Sequence, residues 1–506
     1  MIDGISSDNQ SRYYNEDLAP PKERHWKSFD LFAMWMSDVH SIGGYTFAAG
    51  LFFLGLTGWQ VLLALVIGIV IVFFGVNLVG IAGQRLGVPF PVLSRMSFGI
   101  VGSNIPALIR GVAAIFWYGI QTYLASIAVV ALLLRLDSGL STLAHGSILG
   151  LSPLGWISFM ALWLLQLAIT QFGMETIRKF QDFAGSIVWI VMIGLAVWMV
   201  SAAHGHITMN VSPITVHVGD GILKFATAIA LTVSYFSTLL LNFCDFSRFA
   251  PDKRSVIKGN LLGLPVNFTA FALLSVIVTG ATITVFGKAI TNPVLIVDKV
   301  SNTGLLILGS LMFIVATIGI NIVANFVSPA YDLSNMWPRK ISFRMGGFIA
   351  ALASVVILPW KIFASPAAVN YFLGGLGAFL GPLFGIIIVD YFIVRRQQAV
   401  VEELYQDGPR SRYWYSNGVN PLAVAAFVPA AIVSAVLAFV PSWSTIAAFD
   451  WFIGATMSAG IYLVISKNFS FASKPGDLPS VDIKPDAVVD LTNVNAVTLE
   501  GSELPG

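Results

Sequence analysis

Ser37-Asp38-Val39-His40-Ser41-Ile42-Gly43-Gly44 interrupts an apolar run that otherwise extends from Phe29 to Phe53. Two glycines, an acid and a histidine stand where a membrane-spanning helix has its middle. Glycine weakens a helix interior by about 1 kcal/mol, and an aspartate at the centre of a spanning helix costs roughly 2.5–3.5 kcal/mol to insert. A plain anchor helix carries neither. Two readings account for the stretch. One is a kinked, well-packed helix with Asp38 paired to a neighbour. The other is a discontinuous helix whose freed backbone groups line a binding site, a device that recurs at corresponding positions of two structural repeats.

Working outward, the chain of 506 residues is 56% hydrophobic and 11% charged, with mean hydropathy +0.81. Soluble domains carry about 25% charged residues, so this is an all-α polytopic membrane protein. Twelve segments have the length of about 20 apolar residues that crosses a bilayer: 29–53, 59–82, 104–134, 153–172, 183–203, 222–243, 259–286, 304–330, 345–360, 368–392, 419–440 and 447–465. They divide the chain into a polar cytoplasmic N-terminal tail (1–28), helices one to five (29–203), six to ten (222–392), two further helices (419–465) and a tail from 466 to 506. That tail is rich in Asp, Pro, Ser and Asn, lacks an apolar period and reads as disordered and cytoplasmic. With the N-terminus inside, only Arg135, Lys224, Lys288, Lys299 and Lys361 of the 28 basic residues fall outside, the asymmetry expected of correctly counted spans. Both termini are therefore expected in the cytoplasm, with the protein in the plasma (inner) membrane. The first apolar run begins only at Phe29, so no cleavable signal peptide is expected. No basic block calls for nucleic acid. The single cysteine, Cys244, excludes an intrachain disulfide and a thiolate metal cluster.

The sixth span, Thr232-Val233-Ser234-Tyr235-Phe236-Ser237, is also polar and aromatic at its centre, without glycine. It lies five spans after the first, the offset of an inverted five-plus-five repeat. The third span contains Trp117 and Gln121 at i and i+4, which puts an indole and an amide on one face. An exposed amide is costly in hydrocarbon, so Gln121 points at protein, water or ligand. The bland alternative is an interfacial Trp and a helix–helix contact. The eighth span repeats the spacing with Asn321 and Asn325, readable as a site or as packing glue. No hydrolase, P-loop or metal-ligand spacing appears, so neither an enzyme nor a metal site is expected. His204, His206 and His217 share one extracellular loop and read as solvated in preference to a weak metal patch.

These residues carry a resemblance. The Trp117-x-x-x-Gln121 helix, Trp35-Met36-Ser37-Asp38-Val39-His40, and Asn325 with Ser328-Pro329-Ala330-Tyr331 resemble the nucleobase:cation symporter-1 family. So do Gly87-Val88-Pro89-Phe90-Pro91-Val92-Leu93-Ser94-Arg95 and Gly381-Pro382-Leu383-Phe384-Gly385-Ile386 leading to Asp390-Tyr391-Phe392. The resemblance covers residues 26–465. It implies a LeuT-like five-plus-five inverted repeat plus two helices, alternating access, and uptake of a neutral heterocycle by a monomer in the bilayer. Uracil ranks first as substrate, then hydantoin or allantoin, then cytosine.

Carried over residue by residue, the resemblance makes Trp117 the stacking indole, Gln121 the substrate amide contact and Asn325 a second amide. Phe236 aligns with the second aromatic and Tyr235 lies beside it; Ser41, at the break, joins the substrate set. Two aromatic faces plus amides suit a flat lactam or imide. The absence of Arg or Lys from this expected core argues against a carboxylate or phosphate substrate. For the coupling ion, the carbonyls of sodium-coupled relatives align with Ser37, His40 and Ala316. Their hydroxyl pair reads Gly319-Ile320 here. Hard cations need several oxygen ligands, so a proton exchanged at Asp38 or His40 is the expected coupling ion. Sodium, with Thr317 as a substitute ligand, is the alternative. The rival classes are a channel and a heterocycle sensor that binds without transport.

Overall fold

The backbone leaves helical geometry where the acid, histidine and glycines fall. The computed structural model describes residues 11–468 apart from 210–217, 298, 300–302, 364–365, 410 and 444–445. Helix α1 spans Ser28–Val39 and α2 spans Ile42–Gly50. Between them His40 (φ −84°, ψ 69°) and Ser41 (φ −126°, ψ 163°) are non-helical. Ser41 caps the new helix: its Oγ accepts the Gly44 N–H at 2.9 Å. Gly44 is required there, because a Cβ would lie 2.6 Å from the Val39 carbonyl oxygen.

Helix α3 (Gly58–Leu86) opens with a Thr57–Gln60 capping box. It is followed by the short α4 (Phe90–Phe98), the long α5 (Asn104–Leu136), α6 (Pro153–Thr170) and α7 (Met174–Ala202). The second half begins with α8 (Val218–Tyr235), which breaks at Phe236 (φ −90°, ψ 2°) before α9 (Ser237–Asn242). Then come α10 (Lys253–Phe286), α11 (Leu306–Met336), α12 (Phe343–Val356), α13 (Pro366–Ile388), α14 (Pro421–Phe439) and α15 (Asp450–Asn468). The first and sixth apolar segments are thus both broken, at the offset an inverted repeat requires.

Among the described residues nine helices are long and apolar enough to cross a membrane, and Ile42–Leu54 and Phe343–Val356 are shorter apolar helices. Each of the twelve apolar segments carries helix. The fifth starts at Met174 rather than 183, because its first turns are charged with Glu175, Arg178 and Asp182. Three π-helical turns, Leu262–Val266, Asn321–Phe326 and Val389–Val394, had no sequence signal.

The N-terminal segment differs from a loose tail. From residue 11 onward it is a folded strap: Leu18 and Trp26 are buried, and Trp26 stacks on Phe249 at 5.0 Å. Asn15 donates to the carbonyls of Pro338 (2.7 Å) and Ile341 (3.1 Å), and Arg248 donates to Asp17 O at 2.9 Å. Arg95 of α4 adds bonds to Tyr13 O (3.1 Å) and Leu404 O (2.9 Å). The tail expected beyond 466 lies outside the described residues from 469 onward, as does His217.

Candidate functional site

The broken helices, α5 and α11 line a cavity of about 30 Å³, room for about one water molecule. Trp117, Gln121, Asp38, Tyr235, Phe236 and Asn325 all line it. Ile320, expected at the cation cage, faces this cavity as well; Thr238, Leu239 and Ala324 complete it and carried no signal in the sequence.

Gln121 is 1% exposed, and its Oε1 has no hydrogen-bond partner among the described residues. The missing side chain of Gly43 makes room for it: a Cβ there would lie 3.0 Å from Gln121 Nε2 and 3.4 Å from Tyr235 Oη. An amide and a phenol therefore converge on bare backbone in the first turn of α2. Ser41 interacts with the same phenol. Trp117 meets Tyr235 edge-on (6.1 Å, 74°) and Phe372 likewise (5.4 Å, 67°). Phe236 is edge-on to Tyr235 (5.3 Å, 77°) and to Phe268 (5.3 Å, 85°). Tyr235 is thus edge-on to both rings of the expected aromatic pair. Its own face stacks on Phe47 (4.5 Å, 18°). A second cavity of about 450 Å³ also borders Tyr235 and is lined by Phe47, Ser234, Tyr371, Gly374 and Phe439 among others.

The two asparagines of α11 separate in role. Asn321 Nδ2 donates to Tyr118 O (3.0 Å), Thr122 Oγ1 (2.9 Å) and Gln166 Oε1 (2.6 Å), tying α11 to α5 and α6. Its Oδ1 accepts from Asn325 Nδ2 at 2.9 Å. Asn321 is packing glue and Asn325 is the group on the cavity, oriented through its neighbour. Both sit in the π-helical turn, a frequent feature of functional sites.

An arginine does lie behind this core. Arg110, counted among the cytoplasmic basic residues, is fully buried two turns before Trp117. It donates to Asn242 Oδ1 (3.3 Å from both Nε and Nη2) and to Ala324 O (2.8 Å). The carboxylates of Asp38, Asp245 and Asp332 face it. It does not line the cavity, so it balances buried acids instead of meeting a ligand.

Of the remaining expected coupling residues none lines the cavity, and Ser37 and Gly319 meet instead at Gln181. His40 turns away from the cavity, its ring edge-on to Trp189 (4.8 Å, 81°) and against Phe271 (5.0 Å). Ala316 is buried in α11. Ser37 Oγ donates to Gln181 O at 3.3 Å, and the Gly319 carbonyl accepts from Gln181 Nε2 at 3.0 Å. Gln181, which the sequence reading missed, lies in the charged, less apolar first half of α7. No group of three or more metal-ligating side chains occurs among the described residues.

Comparison with known proteins places this geometry. A family model described as permease for cytosine/purines, uracil, thiamine, allantoin matches residues 19–454. The allantoin permease of Bacillus subtilis is 37% identical over 91% of this chain and 95% of its own length. The purine-uracil permease of Arabidopsis thaliana is 34% identical over 82% of this chain and 69% of its own. Among solved structures, MHP1, a nucleobase-cation-symport-1 family transporter in a closed conformation with bromovinylhydantoin bound, superposes with TM-score 0.72 at 26% identity. That superposition covers 91% of this chain and 98% of MHP1. A Na+-coupled sialic acid symporter shares the fold at TM-score 0.62 and 14% identity, over 90% of this chain. An all-helical, twice-broken architecture, a small aromatic and amide-lined cavity and these matches lead to one assignment: the chain belongs to the nucleobase:cation symporter-1 family of heterocycle transporters, with a LeuT-like fold, and is not an enzyme.

Proposed function

We propose that the chain imports a neutral cyclic ureide or imide by proton-coupled alternating access, with both termini in the cytoplasm. The observation that carries this is the unpartnered, buried Gln121 Oε1, held against Gly43 beside Trp117. A buried acceptor without a partner is costly, and a ring N–H satisfies it. Asn325 offers a second amide, and Trp117 an aromatic surface worth about 0.5–1.5 kcal/mol beyond area burial. Among the described residues no cationic side chain lines the cavity, which suits an uncharged ligand. Allantoin or hydantoin now ranks ahead of uracil, because the Bacillus relative is an allantoin permease and MHP1 holds a substituted hydantoin. Proton coupling is favoured by Asp38, a carboxyl group on the cavity wall.

The test is uptake of radiolabelled allantoin and uracil into proteoliposomes, competed by a panel of heterocycles. Trp117→Ala and Gln121→Ala abolish uptake while the protein still inserts; near-native transport by both would sink the site. An inward proton gradient drives accumulation in the native chain, and Asp38→Asn removes that dependence. Accumulation driven by inward sodium at equal pH, and indifferent to Asp38→Asn, would overturn the proton reading.

A further inference from the structure

Gln181 stands at the junction where α1, α7 and α11 meet. It is 2% exposed. Its backbone carbonyl takes the Ser37 hydroxyl of α1, and its Nε2 donates to the Gly319 carbonyl of α11 at 3.0 Å. The residue thus engages two of the positions at which a coupling cation is expected, Ser37 through its backbone carbonyl and Gly319 through its side-chain amide. Its Oε1 is buried and unpartnered among the described residues.

The space around it is already used. A Cβ on Gly319 would lie 3.3 Å from Ser37 Cβ and 3.6 Å from both Ser37 Oγ and Gln181 Oε1. A hydroxyl-bearing side chain at 319 would extend beyond that Cβ, into the Gln181 amide or the Ser37 side chain. One turn along α7, a Cβ on Gly185 would lie 2.7 Å from Met36 Cβ and 3.1 Å from Ala33 O. Helices α1 and α7 touch backbone to side chain there, and the junction has no room for a hydrated ion. Chemically, an amide N–H presents its partial positive charge to a carbonyl oxygen as a cation does, without an ion that must bind and leave in each cycle.

We propose that Gln181 is a built-in replacement for a coupling cation at the junction of α1, α7 and α11, its side-chain amide holding α11 and its backbone carbonyl holding α1 without sodium. The proposal rests on the reading of the chain as a coupled heterocycle importer, and it deepens that reading by removing sodium from this junction. Gln181 acts as a positioning residue, through Gly319 and Ser37, and does not touch substrate.

The test replaces the donor by an acceptor of equal size. In Gln181→Glu a carboxylate faces the Gly319 carbonyl, and two acceptors at that distance need a proton or a cation between them. Native protein and Gln181→Glu are purified and assayed in proteoliposomes with radiolabelled allantoin or uracil, in sodium and in choline, across pH. Native uptake is the same in both salts. Gln181→Glu uptake at alkaline pH is stimulated about tenfold by sodium, and its pH optimum moves acid-ward. A readout independent of substrate runs beside it: sodium raises the melting temperature of Gln181→Glu in detergent and leaves the native value unchanged. Sodium dependence of the native chain, or identical sodium responses in both proteins, overturns the proposal. If neither heterocycle is transported, the substrate reading fails and the melting series alone decides. If Gln181→Glu does not fold, Gln181→Ala with Gly319→Ser takes its place, removing the amide and supplying a hydroxyl, with the same sodium-induced melting shift expected.

Discussion

Adjacent glycines in the broken helix meet different neighbours, and their substitution separates binding from folding. A Cβ on Gly44 strikes the backbone carbonyl of Val39, whereas one on Gly43 presses on the movable ends of Gln121 and Tyr235. Gly44→Ala is expected to destabilise by about 1–3 kcal/mol, the usual cost of overpacking, and to lower the melting temperature in detergent. Gly43→Ala is expected to keep the native melting temperature and to raise the KM for uptake about tenfold, because it displaces the amide that meets the ligand. Arg110 allows a second comparison. Its Nη1 and Asp332 Oδ1 are both without a partner among the described residues, while its other nitrogens hold Asn242 and Ala324. Arg110→Ala leaves buried acids without their counter-charge and is expected to cost about 3–5 kcal/mol of stability. Removing charge from both sides, with Arg110→Gln and Asp332→Asn, should recover part of that loss in the same unfolding measurement. If the double variant is less stable than Arg110→Ala, the charge-balance account is wrong.

Elements were legible to the extent that hydropathy and helix breakers report them. Two glycines, Asp38 and His40 mark the first break in the sequence itself. The break at Phe236 has no such marker and was inferred from its offset. The spacing of Trp117 and Gln121 located the cavity, because i and i+4 share a face whatever surrounds them. The same spacing could not rank Asn321 against Asn325, since partners on α5 and α6 decide which amide is glue. Gln181 and Arg110 were missed for a related reason: a polar residue near a helix end looks solvated until neighbouring helices cover it. The π-helical turn at Asn321–Phe326 is an example of local geometry set by packing. Such a turn amounts to one extra residue in an α-helix. Deleting Val323 should therefore preserve the register of the flanking turns while rotating Asn325 off the cavity. The expected variant keeps its fold by circular dichroism and size-exclusion profile, and is no longer stabilised by the heterocycle that stabilises the native chain.

For the whole molecule, orientation is tested through the segment between α13 and α14. Gly408 has φ +78°, so the exposed neighbour Asp407 is the better labelling point. Cys244 is fully buried and need not interfere. With Asp407→Cys, a membrane-impermeant maleimide should label only after the cells are opened; labelling of intact cells would invert or miscount the topology. The same face carries the N-terminal strap, which joins Phe249, beyond α9, to Pro338 and Ile341, beyond α11. Lys22 and Lys27 are exposed along it, whereas Arg24 is partly covered and donates to Gln84 O at 2.6 Å. A protease must draw several residues into its cleft to cut, so trypsin can reach these bonds only when the strap lifts away. Movement between the regions it joins would then be recorded in cleavage rate: transported heterocycle should change the half-life of the 22–27 segment, turning a structural clasp into a clock for the transport cycle.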